Sequence, residues 1–143
     1  MLSQVIARYG KPAGVIGHSF GGTVTLHGAM KGLAIDRVAI IGTPVIAELL
    51  IRSFLNAVNG SEATGNSFRN YLKERYGRDF NEFSVEWFLP RLPKPVELLI
   101  VHDENDKDVA IAHAHEARRL MPSAKLSVTQ GLGHTRILKD STV

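Results

Sequence analysis

One serine, one histidine and a run of acidic residues are placed along this chain so that they could support nucleophilic catalysis. Ser19 stands in Gly17-His18-Ser19-Phe20-Gly21, directly after the apolar run Gly14-Val15-Ile16. A hydroxyl at the tip of a sharp strand-to-helix turn projects away from the backbone. A turn that tight calls for glycine two positions either side, where Gly17 and Gly21 stand, and Gly22 would let the following helix pack close to a sheet. Serine is a weak nucleophile until a base takes its proton, and an imidazole in that role needs its far nitrogen held by a carboxylate. Both partners are present, in the acidic loop Asp103-Glu104-Asn105-Asp106-Lys107-Asp108 and at His134 of Gly131-Leu132-Gly133-His134. Taken alone, the Ser19 segment has a competing reading as a glycine-rich turn that only redirects the chain.

For these groups to meet, the elements between them must return the chain to one edge. Ala13 to Ile16 reads as a buried parallel strand, and Thr23 to Lys31 as a buried helix closed by Gly32. A second strand is predicted over Arg37 to Pro44. Strand, helix, strand is a parallel crossover, so the fold class is α/β, with a parallel sheet and flanking helices. A third strand is predicted over Val96 to His102, a helix from Ile111 to Met121, and an edge strand over Lys125 to Thr129. Ile137 and Leu138 begin a last helical stretch. Ser19, the acidic loop and His134 each follow a strand, and in a parallel sheet those loops emerge at the carboxyl edge.

The order nucleophile, acid, histidine, together with the Gly17-His18-Ser19-Phe20-Gly21 elbow, resembles the α/β-hydrolase superfamily. Val101-His102, followed by Asp106 and Val109, is similar to that family's His-Gly-x-x-Asp-x-x-Val-Pro segment, and Gly131-Leu132-Gly133-His134 to its Gly-x-Gly-His. The resemblance implies Ser19 as nucleophile, Asp106 as orienting acid and His134 as general base, with the Phe20 N–H as one oxyanion donor. It implies a carboxylic ester or related acyl bond as substrate, and neither cofactor nor metal. Asp103 replaces the family's glycine and Ala110 its proline, and Asp108 is the second candidate for the acid. Met1 to Lys11, with Leu2, Val5, Ile6 and Tyr9 at helical spacing before Gly10 and Pro12, looks like the helix just before the elbow strand. The expectation is therefore a single incomplete domain over 1–143, the C-terminal portion of such a fold, with the elbow strand at a sheet edge. The family's second oxyanion donor belongs to a loop before the elbow. A non-catalytic fragment that pairs its open edge with a partner chain is the rival reading. Acyl transfer and perhydrolysis would use the same residues.

From roughly Val45 to Pro93 no β-branched alternation occurs, and a helical insertion or lid is predicted. Ala47, Leu50, Ile51, Phe54, Leu55 and Val58 form one stripe capped by Asn59-Gly60, and Phe68, Tyr71, Leu72 and Tyr76 another ended by Gly77. Asp79 and Glu82 read as a capping box for a third short helix toward Trp87 and Phe88. Such a segment either covers a sheet face or roofs a site, and His18, Trp87 and Phe88 are candidates to line the latter. His113 and His115, two apart on a helix, point different ways and do not make a metal pair. His27 reads as a buried helix residue, and His102 as a partner of the acidic loop.

Composition narrows the class. The chain has 143 residues, 44% hydrophobic, enough to bury a real core. Its 17 basic against 14 acidic residues are too balanced for a nucleic-acid partner, and Arg69, Lys73, Arg75 and Arg78 read as a solvated helix face. With no cysteine, disulfides, thiolate metal sites and a cysteine nucleophile are excluded. No stretch approaches the roughly 20 apolar residues of a membrane span and the start lacks a signal-peptide pattern, so the expected location is cytoplasmic. The expected partners are a small acyl ester and, through the open sheet edge, a second copy of the chain.

Overall fold

Strands buried in a parallel sheet read as near-continuous apolar runs, and Val-Ala-Ile-Ile and Leu-Leu-Ile-Val mark two of them here. In the computed structural model, which describes residues 2–141 and 143, the elements run in the order α1 (Leu2–Tyr9), β1 (Val15–His18), α2 (Phe20–Met30), β2 (Arg37–Ile41), α3 (Ala47–Ala57), α4 (Glu62–Tyr76), α5 (Val85–Phe88), β3 (Glu97–Asp103), α6 (Ala112–Leu120), β4 (Lys125–Thr129) and α7 (Gly133–Arg136). Met1, with which the first predicted helical segment begins, lies outside the described residues. The four strands are parallel and lie side by side in chain order. His18 is opposite Ile41, Ile41 opposite Val101, and Asp103 opposite Thr129, so their carboxyl ends share one edge.

Alternation across the pleat sorts the side chains. Val38, Ile40, Leu98 and Ile100 face a core completed by Leu26 and Ala29 of α2, Val85 and Phe88 of α5, and Ala114 and Ala117 of α6. Each such Leu, Ile or Phe contributes about 1.5–3 kcal/mol by leaving water. On the opposite face, among the described residues, Ile41, Val101 and Ile137 form a small buried cluster against Leu132. Ile16, on the edge strand β1, is 74% exposed. The elbow strand thus lies at an edge, as expected, with one side unpaired.

Boundaries differ from the sequence reading in instructive ways. β1 starts two residues later than predicted and runs through Gly17 to His18, because pairing with β2 carries the ladder up to the serine. β2 stops at Ile41 instead of Pro44, where Gly42 turns the chain with φ +52°. The capping box at Asp79 and Glu82 forms, yet it starts a single 3₁₀ turn over Phe80–Phe83. Ser84 is extended there, and its Oγ accepts the Trp87 N–H at 3.3 Å to begin α5 afresh. His134, expected in a tight loop, lies within the short helix α7, and the predicted final helix is a 3₁₀ turn at Ile137–Lys139.

Part of the segment between β2 and β3 covers a sheet face. Val85, Phe88 and Leu89 enter the main core, whereas α3 and α4 pack on each other through Phe54 and Phe68, whose ring centroids are 6.1 Å apart. Arg69 is not a free cation. Its guanidinium grips both oxygens of Glu48 at 3.0 and 2.9 Å and Glu62 at 3.0 Å, tying α4 to α3.

Candidate functional site

Backbone geometry sets the serine apart. Ser19 has φ +53° and ψ −130°, a conformation that costs a non-glycine residue about 1–3 kcal/mol and persists only where the surroundings impose it. Its N–H donates to Ile41 O at 2.8 Å, and its carbonyl accepts from Gly22 N at 3.1 Å. A Cβ at Gly17 would stand 2.6 Å from the Gly22 backbone, and one at Gly22 would stand 2.1 Å from Thr43 Oγ1. Gly21 differs from the sequence reading, for a Cβ there meets nothing within 4 Å. The close approach is made by Gly17 and Gly22, and α2 starts straight away at Phe20, whose N–H is one of the unpaired donors of a helix N-terminus.

At the same edge the histidine and one carboxylate meet. His134 Nδ1–H donates to Asp106 Oδ2 at 2.7 Å, with the Asp106 side chain 1% exposed. The other oxygen, Oδ1, accepts the N–H groups of Asp108 and Val109 at 2.9 Å each. Asp108 therefore supplies a backbone donor to Asp106, and its own residue is exposed to solvent. With Nδ1 committed, His134 Nε2 keeps its lone pair free to accept a proton. Among the described residues the Ser19 hydroxyl has no hydrogen-bond partner, and it does not cap α2. Ser19 and His134 are linked instead through the neighbouring residue. His18 Nε2–H donates to His134 O at 2.9 Å, and the two rings lie 4.6 Å apart.

Further groups hold this arrangement, and two of them, Gly42 and His113, have no part in it in the sequence reading. A Cβ at Gly42 would lie 3.1 Å from His134 Nδ1 and 3.3 Å from Asp106 Oδ2, so a side chain there would press on the pair. His102, buried, donates from Nε2 to Val109 O at 2.8 Å and closes the acidic loop. His113 is 3% exposed, and its Nδ1 accepts both the Val45 and Ile46 N–H groups at 3.0 Å. Burial, with a lesser push from His102 against an opposing pull from Asp106, lowers its pKa to about 4, so it is neutral and pins the start of the helical segment to α6. His115, two residues on, is exposed. His27 is half-buried, its ring 4.9 Å from that of Phe88; burial, then Lys31 and Arg78, lowers its pKa.

Beside the elbow, Phe20, Thr23, Val45, Leu50, Phe80 and Phe83 are among the residues lining a mostly apolar cavity of about 100 Å³. A second, of about 120 Å³, is lined by Phe20, His27, Phe83 and Phe88 among others. Trp87 is outside both linings and carries the Arg91 guanidinium 3.5 Å above its ring. Asp106, Asp108 and His134 also bring ligand atoms within 4.8 Å of one another. A cation held there would compete with the bonds that Asp106 already makes to His134, Asp108 and Val109. Among the described residues no helix is long and apolar enough to cross a membrane.

No protein-family model and no curated protein sequence matches the chain. Solved structures do. The esterase domain of a Rhodothermus marinus protein aligns with TM-score 0.63 at 24% identity, over 92% of this chain and 54% of that one. A Pyrococcus furiosus esterase aligns with TM-score 0.62 at 18% identity, over 96% and 52%. A putative non-heme bromoperoxidase of Mycobacterium tuberculosis aligns with TM-score 0.64 at 9% identity, over 99% and 66%. The chain thus spans about half the length of the two esterase structures. Four parallel strands in chain order, a strained serine at the end of β1 and this set of structural neighbours together mean that the chain carries part of an α/β-hydrolase fold.

Proposed function

We propose that the chain carries the nucleophile, acid and base of a serine hydrolase acting on carboxylic ester or related acyl bonds. The observation that supports this most directly is the 2.7 Å bond between His134 Nδ1 and a buried Asp106 carboxylate at the sheet edge where the Ser19 elbow ends β1. In this reading His134 Nε2 takes the Ser19 proton as Oγ attacks the acyl carbonyl, and Asp106 stabilises the imidazolium that forms. The Phe20 N–H, at the positive end of α2, faces the developing oxyanion. Collapse of the tetrahedral adduct expels the alcohol, which receives the proton from His134. Water then repeats the relay and frees the acid and Ser19.

Apolar cavities around Phe20 favour a substrate with a small to medium apolar acyl or alkyl part, roofed by the helical segment 45–93 as a lid. No cofactor or metal takes part in this scheme. The family resemblance implies that the second oxyanion donor comes from a loop before the elbow. The unpaired side of β1, with Ile16 exposed, favours a second reading in which a partner strand, of another chain or another copy, completes the sheet before turnover is fast.

A serine-reactive phosphonate tests the central claim. Labelling of Ser19 that vanishes in His134→Ala, accompanied by hydrolysis of a short-chain p-nitrophenyl ester that vanishes in Ser19→Ala, is expected. Equal labelling of a folded His134→Ala protein would refute the assignment of His134 as the base.

A further inference from the structure

Asp103 is the most completely buried carboxylate described, with 0% of its surface exposed, and the scheme above does not use it. Its Oδ1 accepts the Asn105 N–H at 3.0 Å. Its Oδ2 reaches across to the segment before His134, accepting the Thr129 hydroxyl at 2.8 Å and the Leu132 N–H at 3.0 Å. Burial by itself would push this carboxyl up, yet the N–H groups of Gly133 and Leu132, the Thr129 hydroxyl and the Asn105 N–H hold it below the usual carboxylate range. Three of these four donors, Thr129, Leu132 and Gly133, belong to the segment that leads into His134.

That backbone needs holding. Gly131 and Gly133 both have positive φ, +75° and +66°, and two glycines in three residues lose more conformational freedom on ordering than other residues would. The rest of the acidic loop joins the grip. Glu104 N–H donates to Thr129 O at 2.8 Å, and Asn105 Oδ1 accepts the Gly131 N–H at 3.0 Å. Asp103 O also accepts the Asp106 N–H at 3.1 Å, so one turn carries both carboxylates.

The geometry points to Asp103 as a positioning residue, whose carboxylate clasps residues 129–133 and thereby sets where the His134 imidazole meets Asp106. This rests on the hydrolase reading above. Asp106 holds the ring, and Asp103 holds the backbone on which the ring is mounted.

The test uses the full chain carrying Asp103→Asn, which keeps the shape but turns an amide N–H₂ toward groups that are themselves donors. Two readouts are taken. One is the low-field proton resonance of the His134 Nδ1–H bonded to Asp106, assigned by its loss in Asp106→Ala. The other is Ser19-dependent ester hydrolysis. The resonance is expected to shift or broaden away, and kcat to fall about 10- to 100-fold, the scale of a misplacement of about 1 Å, with KM within about twofold. Folded Asp103→Asn that keeps the wild-type resonance and kcat overturns the proposal. Should that variant not fold, Thr129→Val removes one donor and leaves the N–H bonds in place. A smaller shift in the same direction supports the clasp, and an unchanged resonance overturns it. Absence of Ser19-dependent turnover in the wild type would refute the hydrolase reading, while the proton resonance would still decide whether Asp103 positions His134.

Discussion

Gly42→Ala separates a backbone cost from damage to the site. Gly42 has φ +52°, a region that costs an alanine about 1–2 kcal/mol. An alanine Cβ would also stand 3.1 Å from His134 Nδ1, 3.2 Å from its Cε1 and 3.3 Å from Asp106 Oδ2. Non-bonded heavy atoms settle at about 3.5–4.0 Å, so the imidazole must retreat by roughly half an ångström. If a misplacement of about 1 Å costs about 10²-fold, half that distance costs about tenfold in the rate of Ser19 labelling. Gly77→Ala is the control. Gly77 has φ +66° with nothing within 4 Å of the added carbon, so it bears the backbone cost alone. Denaturant unfolding should show both variants destabilised by about 1–2 kcal/mol, with phosphonate labelling slowed only in Gly42→Ala. Equal labelling rates in the two variants would refute the reasoning, because the contact with the His134–Asp106 pair would then have no effect on it.

The two glycines after the serine should behave in opposite ways. Gly21→Ala meets open space inside α2 and is expected to be neutral or stabilising by up to about 1 kcal/mol, whereas Gly22→Ala drives a carbon to 2.1 Å from Thr43 Oγ1 and should destabilise by about 1–3 kcal/mol in urea. His113 predicts acid sensitivity. Its folded pKa of about 4 lies below the unfolded value of 6.5, so the unfolded chain binds more protons between these limits. Stability contributed by neutral His113 is complete above about pH 6.5 and is lost as pH falls toward 4; in His113→Gln the Tm should fall less steeply over that window, and an identical slope would count against the assignment.

Much of this protein could be read directly because the forces involved are local. Apolar spacing of two or of three to four residues announced β3, β4, α3 and α4, and Gly77 and the Asp79–Glu82 box marked ends that form as backbone chemistry requires. Chain order placed Ser19, the acidic loop and His134 each after a strand, β1, β3 and β4, and parallel pairing alone brings such loops to one edge. Choices among equals needed the tertiary structure. Asp103, Asp106 and Asp108 are one residue type in one loop. Burial and hydrogen bonding then separate them: Asp106 bonds to His134, Asp103 bonds to the segment before it, and Asp108 is exposed. Gly42 and His113 carried no local signal, since their importance lies in contacts with His134, Asp106, Val45 and Ile46, the last two being about 68 residues away along the chain. Periodicity and turn chemistry act between near neighbours, so they fix elements and their order. Which carboxylate lies against the imidazole, and which glycine lies beside that pair, is decided only when distant segments are packed against each other.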